Sequence, residues 1–312
     1  MSRFLVTGGA GFIGGHITEF LVSEGHEVIV FDDFSTGDME NLAAVVDDIR
    51  VLRGDIRDID ALNAAMDGID FVIHQAAEIS PVRSVEDPAF TNSVNVDGTL
   101  LLLDKCRHQR GLERFVLTSS SSVYGDTPTL PKVEHMAGST LSPYALQKWT
   151  GENYLRLFHK LYGLPGIALR PFNVFGPRQR ADNPYAAVIP LFIDAARADR
   201  PLPINGDGSQ TRDFTFVANM VEGFVRAGTG SNPEALGKAF NIANAERTSV
   251  KELAEQIIQL TDSKSACQFL PPRAGDIRDS FASLELARTL LSYAPKVTFN
   301  EGLKLLVNRA GS

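Results

Sequence analysis

The sequence predicts an α/β fold, a doubly wound parallel sheet with a smaller, less regular C-terminal lobe. Short apolar runs alternate with amphipathic stretches through the first half of the chain, and a glycine cluster follows the first run. After residue 175 the sequence becomes loop-rich, with only short strand signals. Strands separated by helices at this spacing favour right-handed crossovers and a parallel sheet that is covered on both faces.

The first half contains the strands and helices of the expected sheet. The apolar runs that predict strands are 3–8, 27–33, 49–55, 70–77, 114–120 and 166–174. The stretches that predict helices are 11–25, 59–68, 91–110 and a helix that begins near Ser142. In that last helix, Ser142 can cap the first turn and Pro143 suits the first position.

The second half is less regular. Residues 217–230 and 249–260 predict helices, and 238–244 predict a short strand. We therefore assign residues 1–175 to the first domain and residues 176–312 mainly to a smaller lobe. Because the helix and strand within 217–243 can return to the first sheet, we do not expect a clean boundary.

Composition argues against several classes of protein. The net charge of −8 and the pI of about 5.3 do not suit a nucleic-acid or anionic-membrane surface. Cys106 and Cys267 lie far apart without metal-ligand spacing, so we expect no metal site, no disulfide framework and a cytoplasmic location. No stretch approaches the roughly 18 apolar residues of a membrane span.

Gly8, Gly11 and Gly14 stand between the first strand and the first helix. Glycines there permit a tight turn and let the backbone approach a pyrophosphate, which binds at the helix N-terminus. Asp32 ends the second strand 18 residues after Gly14, where a carboxylate accepts a ribose 2′-hydroxyl and repels a 2′-phosphate. The pattern predicts a Rossmann-type domain that prefers NAD over NADP. Asp55, at the end of the third strand, could reach the adenine or simply cap the strand end.

Tyr144 and Lys148 are four residues apart, on one face of the predicted helix. Alone, such a pair also fits an ordinary surface helix. Ser120 ends the fifth strand, at the edge where parallel sheets bind ligands, so we expect it in the same crevice. Beside a nicotinamide the three residues suit hydride transfer. Tyr144 removes a hydroxyl proton, Lys148 lowers the pKa of that phenol, and Ser120 hydrogen-bonds the reacting oxygen.

A series of motifs along nearly the whole chain resembles the extended short-chain dehydrogenase/reductase family, in its nucleotide-sugar epimerase branch. The motifs are TGGAGFIG, GDIRD, HQAA, NVDGT, SSSSVYG, YALQK, LRPFNVFGPRQ, INGDGSQTRDF and RAGDIRDS. The resemblance implies NAD-dependent C4 epimerisation of a UDP-hexose through a transient 4-keto sugar. It also implies a homodimer built on helices of the first domain.

The resemblance further implies which residues bind each ligand. Those expected at NAD, besides Tyr144 and Lys148, are Gly8, Gly11, Phe12, Ile13, Gly14, Asp32, Asp33, Phe34, Ser35, Thr36, Gly37, Asp55, Ile56, Gln75, Ala76, Ala77, Asn95 and Phe172. Those expected at the UDP-sugar are Ser80, Arg83, Ser84, Ser120, Ser121, Ser122, Asn173, Ala187, Val188, Ile204, Asn205, Arg212, Arg273, Asp276 and Ser280. Arg212 and Arg273 suit a diphosphate, although each alone also fits a surface salt bridge.

The choice of reaction depends on whether an acidic residue stands in the serine-rich segment at the end of the fifth strand. Similar dehydratases carry an acidic residue two positions before the tyrosine of this motif, and here Ser122 stands two positions before Tyr124. Epimerisation needs only the hydride machinery and room for the ketose to rotate, so a 4-epimerase is favoured. A decarboxylase, a deoxysugar reductase/epimerase and a non-catalytic NAD-binding relative stay open as alternatives.

Three regions of the sequence bear on the C2 substituent of the sugar. Ser280, the last residue of RAGDIRDS, resembles a gatekeeper that is small where N-acetylated sugars are accepted, although it could be a packing residue without that role. The stretches 74–88 and 183–190 resemble the subgroup that favours those sugars, and residues 81–82 depart from its usual order. In that subgroup the matching Ser80, Arg83 and Ser84 could hydrogen-bond an acetamido group. We therefore expect interconversion of UDP-GlcNAc and UDP-GalNAc, with UDP-glucose and UDP-galactose as poorer or comparable substrates.

Overall fold

The computed structural model describes residues 1–180, 187–272 and 278–309. Its strands are β1 (Arg3–Thr7), β2 (Glu27–Asp32), β3 (Ile49–Arg53), β4 (Phe71–His74), β5 (Arg114–Thr118), β6 (Gly166–Pro171), β7 (Val174–Phe175), β8 (Leu202–Asn205), β9 (Thr211–Arg212), β10 (Thr215–Phe216), β11 (Ala239–Ile242), β12 (Thr248–Ser249) and β13 (Cys267–Leu270). Its α-helices are α1 (Phe12–Ser23), α2 (Ile59–Ala65), α3 (Pro81–Glu86), α4 (Pro88–Asn92), α5 (Thr99–His108), α6 (Pro143–Tyr162), α7 (Val188–Arg197), α8 (Val217–Thr229), α9 (Val250–Leu260), α10 (Glu285–Leu291) and α11 (Phe299–Arg309).

Seven parallel strands form the central sheet, in the order β11-β6-β5-β4-β1-β2-β3. Ile17 of α1 and Phe224 of α8 pack in the core on one face, and Leu62 of α2 and Leu102 of α5 pack in the core on the other. The predicted fold class, a doubly wound parallel sheet, is therefore confirmed. Burial on both faces explains why the strands read as continuous apolar runs.

The strand order creates the crevice in which a ligand can bind. The chain winds outward from β1 to β3 in one direction and from β4 to β11 in the other, so the order reverses between β1 and β4. Loops that leave the carboxyl ends of neighbouring strands diverge at such a point and leave an open groove. Gly8 follows β1, Gln75 follows β4 and Ser120 lies just beyond β5, so all three lie at this edge of the sheet.

One predicted helix is interrupted in the structure. The stretch 91–110 contains the end of α4, a π-helical segment at Ser93–Gly98, and then α5. Asn95 lies within the π-helical segment, 3% exposed, and donates from Nδ2 to the Glu78 carbonyl at 2.9 Å. A π-bulge re-aims a side chain at the cost of regular bonding, and such bulges are common at functional sites. The apolar spacing alone did not reveal it.

The C-terminal lobe has a separate core. Phe175, Phe192, Leu253 and Leu303 pack there, contributed by β7, α7, α9 and α11. Within 217–243, β11 pairs in parallel with β6 and is an outer strand of the central sheet. The division of the chain into two domains near residue 175 stays a prediction.

Candidate active site

The helix that carries Tyr144 begins where the sequence predicts. Ser142 is the N-cap of α6, its Oγ accepts a hydrogen bond from the Ala145 amide at 3.2 Å, and Pro143 occupies the first turn. Tyr144 and Lys148 are each 8% exposed, and Lys148 Nζ lies 6.0 Å from the centre of the Tyr144 ring. The first two turns of α6 therefore hold a phenol and an ammonium together, largely out of water.

Two contacts connect α6 to the carboxyl end of β5. Lys148 Nζ donates to the Thr118 carbonyl at 3.0 Å. Ser120 begins the short 3₁₀ turn Ser121–Tyr124, and its Oγ accepts from Ser122 Oγ at 2.9 Å. Thr118 was not among the predicted site residues, although it stands two positions before Ser120. Its carbonyl fixes the ammonium, so strand geometry and not side-chain identity makes this contact.

Burial dominates the electrostatics of Tyr144 and Lys148. It raises the pKa of Tyr144, a hydrogen bond with Ser120 acts in the opposite direction, and the Glu78 carboxylate raises it further. Burial lowers the pKa of Lys148 to about 8. Without NAD, desolvation disfavours both charged forms, so the expected lowering of the Tyr144 pKa by Lys148 and the nicotinamide charge stays a prediction for the NAD-bound protein.

Behind the pair lies a set of buried amides that sequence reasoning only half identified. Asn95 Nδ2 donates to Gln147 Oε1 at 2.9 Å, and Gln147 Nε2 donates to Thr91 Oγ1 at 2.9 Å. Asn95 Oδ1 accepts from the Glu78 amide at 2.8 Å. Gln147 was missed, although its place between Tyr144 and Lys148 would have singled it out. The network holds α6 against the segment that follows β4.

The glycine loop between β1 and α1 is shaped for close backbone approach. A Cβ on Gly8, which has φ +67°, would lie 2.6 Å from the Ala76 amide nitrogen, and a Cβ on Gly14 would lie 2.2 Å from the Gly8 carbonyl oxygen. Gly11 is the N-cap of α1 and offers no side chain to the first amides of the helix. These amides suit a pyrophosphate. Gln75 Nε2, buried at the same edge, finds no partner among the described residues, which fits a ligand acceptor there.

Asp32 lies at the tip of β2, next to this loop. It is 6% exposed, and its carboxylate accepts from the amides of Ala10 and Phe34, each at 2.9 Å. Burial raises the pKa of Asp32, with the two amide bonds opposing the rise. Gly37 approaches so closely that a Cβ there would meet Asp32 Oδ1 at 2.9 Å. The predicted segment 33–37 therefore lies around the carboxylate that is expected to accept the ribose.

Asp55 has a partner in the chain itself. Arg57 donates from Nη2 to Asp55 Oδ2 at 2.5 Å and from Nε to Oδ1 at 2.9 Å. The Arg57 side chain holds the pKa of Asp55 below its usual range. Of the two interpretations left open by the sequence, this geometry favours a residue that anchors the strand end.

Three of the residues predicted to hold the nucleotide-sugar, Asn173, Arg212 and Ser280, meet around β9. Asn173, with φ +33°, donates from Nδ2 to the Asp213 carbonyl at 3.1 Å. Arg212 donates to the Thr211 carbonyl at 3.0 Å, and the Ser280 amide donates to the same carbonyl at 3.1 Å. The structure thus brings together residues that are more than 100 positions apart in sequence. The predicted Arg273 and Asp276, and the first half of 183–190, lie outside the described residues.

Asp213 was missed and connects these segments. It is fully buried, and its carboxylate accepts from the Asn244 amide at 3.0 Å and from the Ala282 amide at 3.2 Å. Burial raises its pKa to about 7. Its position directly after Arg212, a predicted site residue, could have identified it from the sequence.

Three predicted sugar-binding side chains already have contacts within the chain. Ser84 is 0% exposed and its Oγ already accepts from the Tyr144 amide, so its assignment to an acetamido group is revised. Ser80 Oγ caps α3 by accepting from the Arg83 amide at 3.1 Å. Ile204 is 1% exposed and packs in the core of the C-terminal lobe, so its side chain offers no surface to a substrate. Hydrophobic burial and helix capping account for these three positions.

Among residues 1–180, 187–272 and 278–309, no group of three or more His, Cys, Asp or Glu side chains is placed to hold a metal. Within the same ranges, no helix combines the length and the apolar character required to cross a membrane.

Comparison with known proteins places these features in a family. Residues 4–243 match the NAD dependent epimerase/dehydratase family. The UDP-glucose 4-epimerase of Mycolicibacterium smegmatis is 40% identical over 305 residues, which covers 96% of each chain. The structure of a UDP-N-acetylglucosamine 4-epimerase from Methanobrevibacter ruminantium in complex with UDP-N-acetylmuramic acid is 36% identical, with a TM-score of 0.92 over 98% of this chain and 97% of that one.

A third comparison concerns a different sugar. The UDP-glucuronic acid 4-epimerase of Bacillus cereus, in complex with UDP-glucuronic acid and NAD, is 31% identical, with a TM-score of 0.89 over 98% of each chain. The glycine loop, the acidic tip of β2 and the crevice at the sheet edge suit the same dinucleotide. The chain therefore belongs to the NAD dependent epimerase/dehydratase family, and NAD is its cofactor.

Proposed function

We propose that the protein is a UDP-hexose 4-epimerase that interconverts UDP-GlcNAc and UDP-GalNAc, and accepts UDP-glucose and UDP-galactose comparably or less well. The observation that carries the proposal is the placement of Ser120, Tyr144 and Lys148 at one edge of the sheet, with Ser122 where an elimination would need an acid. Tyr144, Ser120 and Lys148 can remove and return the proton of a C4 hydroxyl while bound NAD would accept the hydride, and Ser122 is not the acid that an elimination would need.

Each catalytic residue has one task in this scheme. Tyr144 takes the proton of the C4 hydroxyl and later returns it to the oxygen of the 4-keto sugar. Ser120 hydrogen-bonds that oxygen, and Lys148, held by the Thr118 carbonyl, supplies positive charge near the phenol. When bound, NAD supplies the hydride acceptor, and its positively charged ring favours the phenolate that burial otherwise disfavours. The ketose turns over before the hydride returns, so the cofactor is regenerated.

The proposed preference for an N-acetyl group rests on one small side chain, Ser280, and on one arginine, Arg83. Ser280 is only partly buried, and its backbone is bound to β9. Arg83 is 48% exposed in its side chain and pairs with Glu78 at 2.6 Å. Its guanidinium also lies 4.5 Å from the centre of the Phe90 ring. A guanidinium has five N–H donors, more than the bond to Glu78 uses, so Arg83 can also donate to a sugar substituent.

A product assay tests the proposal. NAD-loaded protein is incubated separately with UDP-GlcNAc, UDP-glucose and UDP-glucuronic acid, and the products are read by NMR. We expect UDP-GalNAc from the first sugar and UDP-galactose from the second. A pentose product from the third sugar would indicate a decarboxylase. Inactivity on all three would overturn the proposed reaction, and activity without any on UDP-GlcNAc would overturn the N-acetyl preference.

We also propose a homodimer that pairs the exposed side of α6. Leu157 is 46% exposed, Leu161 is 58% exposed and Tyr162 is 50% exposed, all near the end of one helix. Large apolar side chains exposed near one another on a helix suit a contact with another protein. Sedimentation of the wild type and of Leu161→Glu tests it, since the variant should sediment as a monomer; a wild-type monomer would refute the dimer.

A further inference from the structure

Ser84 makes two hydrogen bonds in the interior of the protein. Its side chain belongs to α3 and is 0% exposed. Ser84 Oγ donates to the Pro81 carbonyl at 2.6 Å and accepts from the Tyr144 amide at 3.0 Å. A hydroxyl has one proton, and here the proton is committed to the carbonyl, so a lone pair is left for the amide. The Ser84 side chain therefore has a fixed orientation toward the backbone of the catalytic tyrosine.

The Tyr144 amide needs this acceptor because of its place in the helix. The first amides of an α-helix have no partner within the helix. The Ala145 amide finds Ser142 Oγ at 3.2 Å, in a part of the helix start that is only partly buried. The bond between Tyr144 and Ser84 is buried, so water cannot easily replace Ser84 if its hydroxyl is lost.

We propose that Ser84 is a positioning residue for Tyr144, which sets the depth and direction of the phenol through the amide of the same residue. The chain runs from Gln75, at the edge of the sheet where NAD is expected, into α3. The bond between Ser84 and the Tyr144 amide therefore connects the cofactor side of the crevice to the catalytic base. The turnover readout for this inference rests on the proposed epimerase function.

A second set of hydrogen bonds makes the proposal testable. Gln147 is bonded to Asn95 and to Thr91, each at 2.9 Å, and keeps α6 against the same segment independently of Ser84. Replacement of Ser84 by alanine is therefore expected to leave a folded protein with a displaced first turn. The Tyr144 hydroxyl would then lose its alignment with Ser120. The hydrogen bond with Ser120 lowers the pKa of Tyr144, against the increase that burial causes.

Three variants separate positioning from general stabilisation. Ser84→Ala removes the acceptor, Ser84→Thr keeps a hydroxyl, and Ser142→Ala removes the neighbouring cap at the same helix start. For each, kcat and KM are measured against pH with saturating NAD. The ionisation of Tyr144 is read in the NAD-bound protein from the tyrosinate absorbance that the matching Tyr144→Phe variant lacks. The second readout needs no turnover.

We expect Ser84→Ala to lower kcat roughly tenfold with little change in KM. The pKa of Tyr144, and the acidic limb of the kcat profile, should move to higher pH. Ser84→Thr should return both toward the wild type. Ser142→Ala should lower the melting temperature while the pH profile stays that of the wild type.

Two results would overturn the inference. One is an unchanged Tyr144 ionisation and kcat profile in folded Ser84→Ala, which would leave Ser84 with a structural role only. The other is an equal shift in Ser142→Ala, which would show that any weakening of the helix start has this effect. If the wild type turns over no UDP-sugar, the proposed function fails, and the ionisation measurement still decides the role of Ser84.

Discussion

Glu152→Gln is expected to destabilise the protein strongly, because it leaves a buried cation without its partner. Arg170 donates from Nη2 to Glu152 Oε2 at 2.6 Å and from Nε to Glu152 Oε1 at 2.9 Å, and the two side chains are 5% and 7% exposed. Arg170 also donates to Tyr124 Oη and to the Glu134 carbonyl, each at 2.7 Å. The ion pair joins α6, which carries Tyr144, to β6.

The size of the effect follows from this burial. Removal of one partner from a buried ion pair costs about 3–5 kcal/mol, a large share of the roughly 5–15 kcal/mol that stabilises a typical protein. At roughly 2–4 °C per kcal/mol for chains of a few hundred residues, the melting temperature should fall by about 6–20 °C. The matched control is Asp194→Asn, whose pair with Arg200 is 63% and 60% exposed and should cost about 1 kcal/mol or less.

Urea unfolding of the NAD-saturated proteins measures both variants. A double variant, Glu152→Leu with Arg170→Met, should recover much of the loss, since an apolar pair needs no desolvated charge. A loss below about 1 kcal/mol in Glu152→Gln would refute the argument from burial. A double variant less stable than Glu152→Gln would show that the other bonds of Arg170 dominate.

The remaining predictions concern the catalytic pair, the cofactor and the sugar. Tyr144→Phe should lower kcat by about 10²–10⁴-fold while NAD titration stays unchanged, and retention of a tenth of kcat would remove Tyr144 from the base role. Asp32→Ala should weaken NAD and reduce discrimination against NADP; a wild type that binds both equally contradicts the assignment. Ser280→Tyr should cost UDP-GlcNAc at least about 1–3 kcal/mol in kcat/KM and spare UDP-glucose, whereas equal losses would exclude a gate at C2. Burial lowers the pKa of Lys148 from 10.5 to about 8. The unfolded chain therefore holds this proton more tightly than the folded protein does, and a charged Lys148 destabilises the folded state. The free energy of unfolding should therefore rise between these pH values by up to about 1.4 kcal/mol per unit, and Lys148→Met should abolish that rise.

Local rules were sufficient for the fold class and for the start of the catalytic helix. The alternation of apolar runs and amphipathic stretches predicts the parallel sheet, since strands buried on both faces must be apolar throughout. Ser142 and Pro143 predict the beginning of α6, because capping depends on neighbours in sequence. The glycine loop and Asp32 predict the dinucleotide site for the same reason, as one turn and one strand end determine their chemistry.

Contacts between distant segments required the tertiary structure. The π-helical turn at Asn95, the buried carboxylate of Asp213 and the bond from the Tyr144 amide to Ser84 join residues that periodicity cannot relate. For a polar residue, the pattern alone does not say whether its hydroxyl faces a ligand or a helix end. Ser84 shows the difference, since its motif suggested a sugar and its burial assigns it to the backbone of the catalytic tyrosine. A side-chain hydroxyl binds whichever partner the fold places within about 3 Å, and that distance is decided only when the helices have packed.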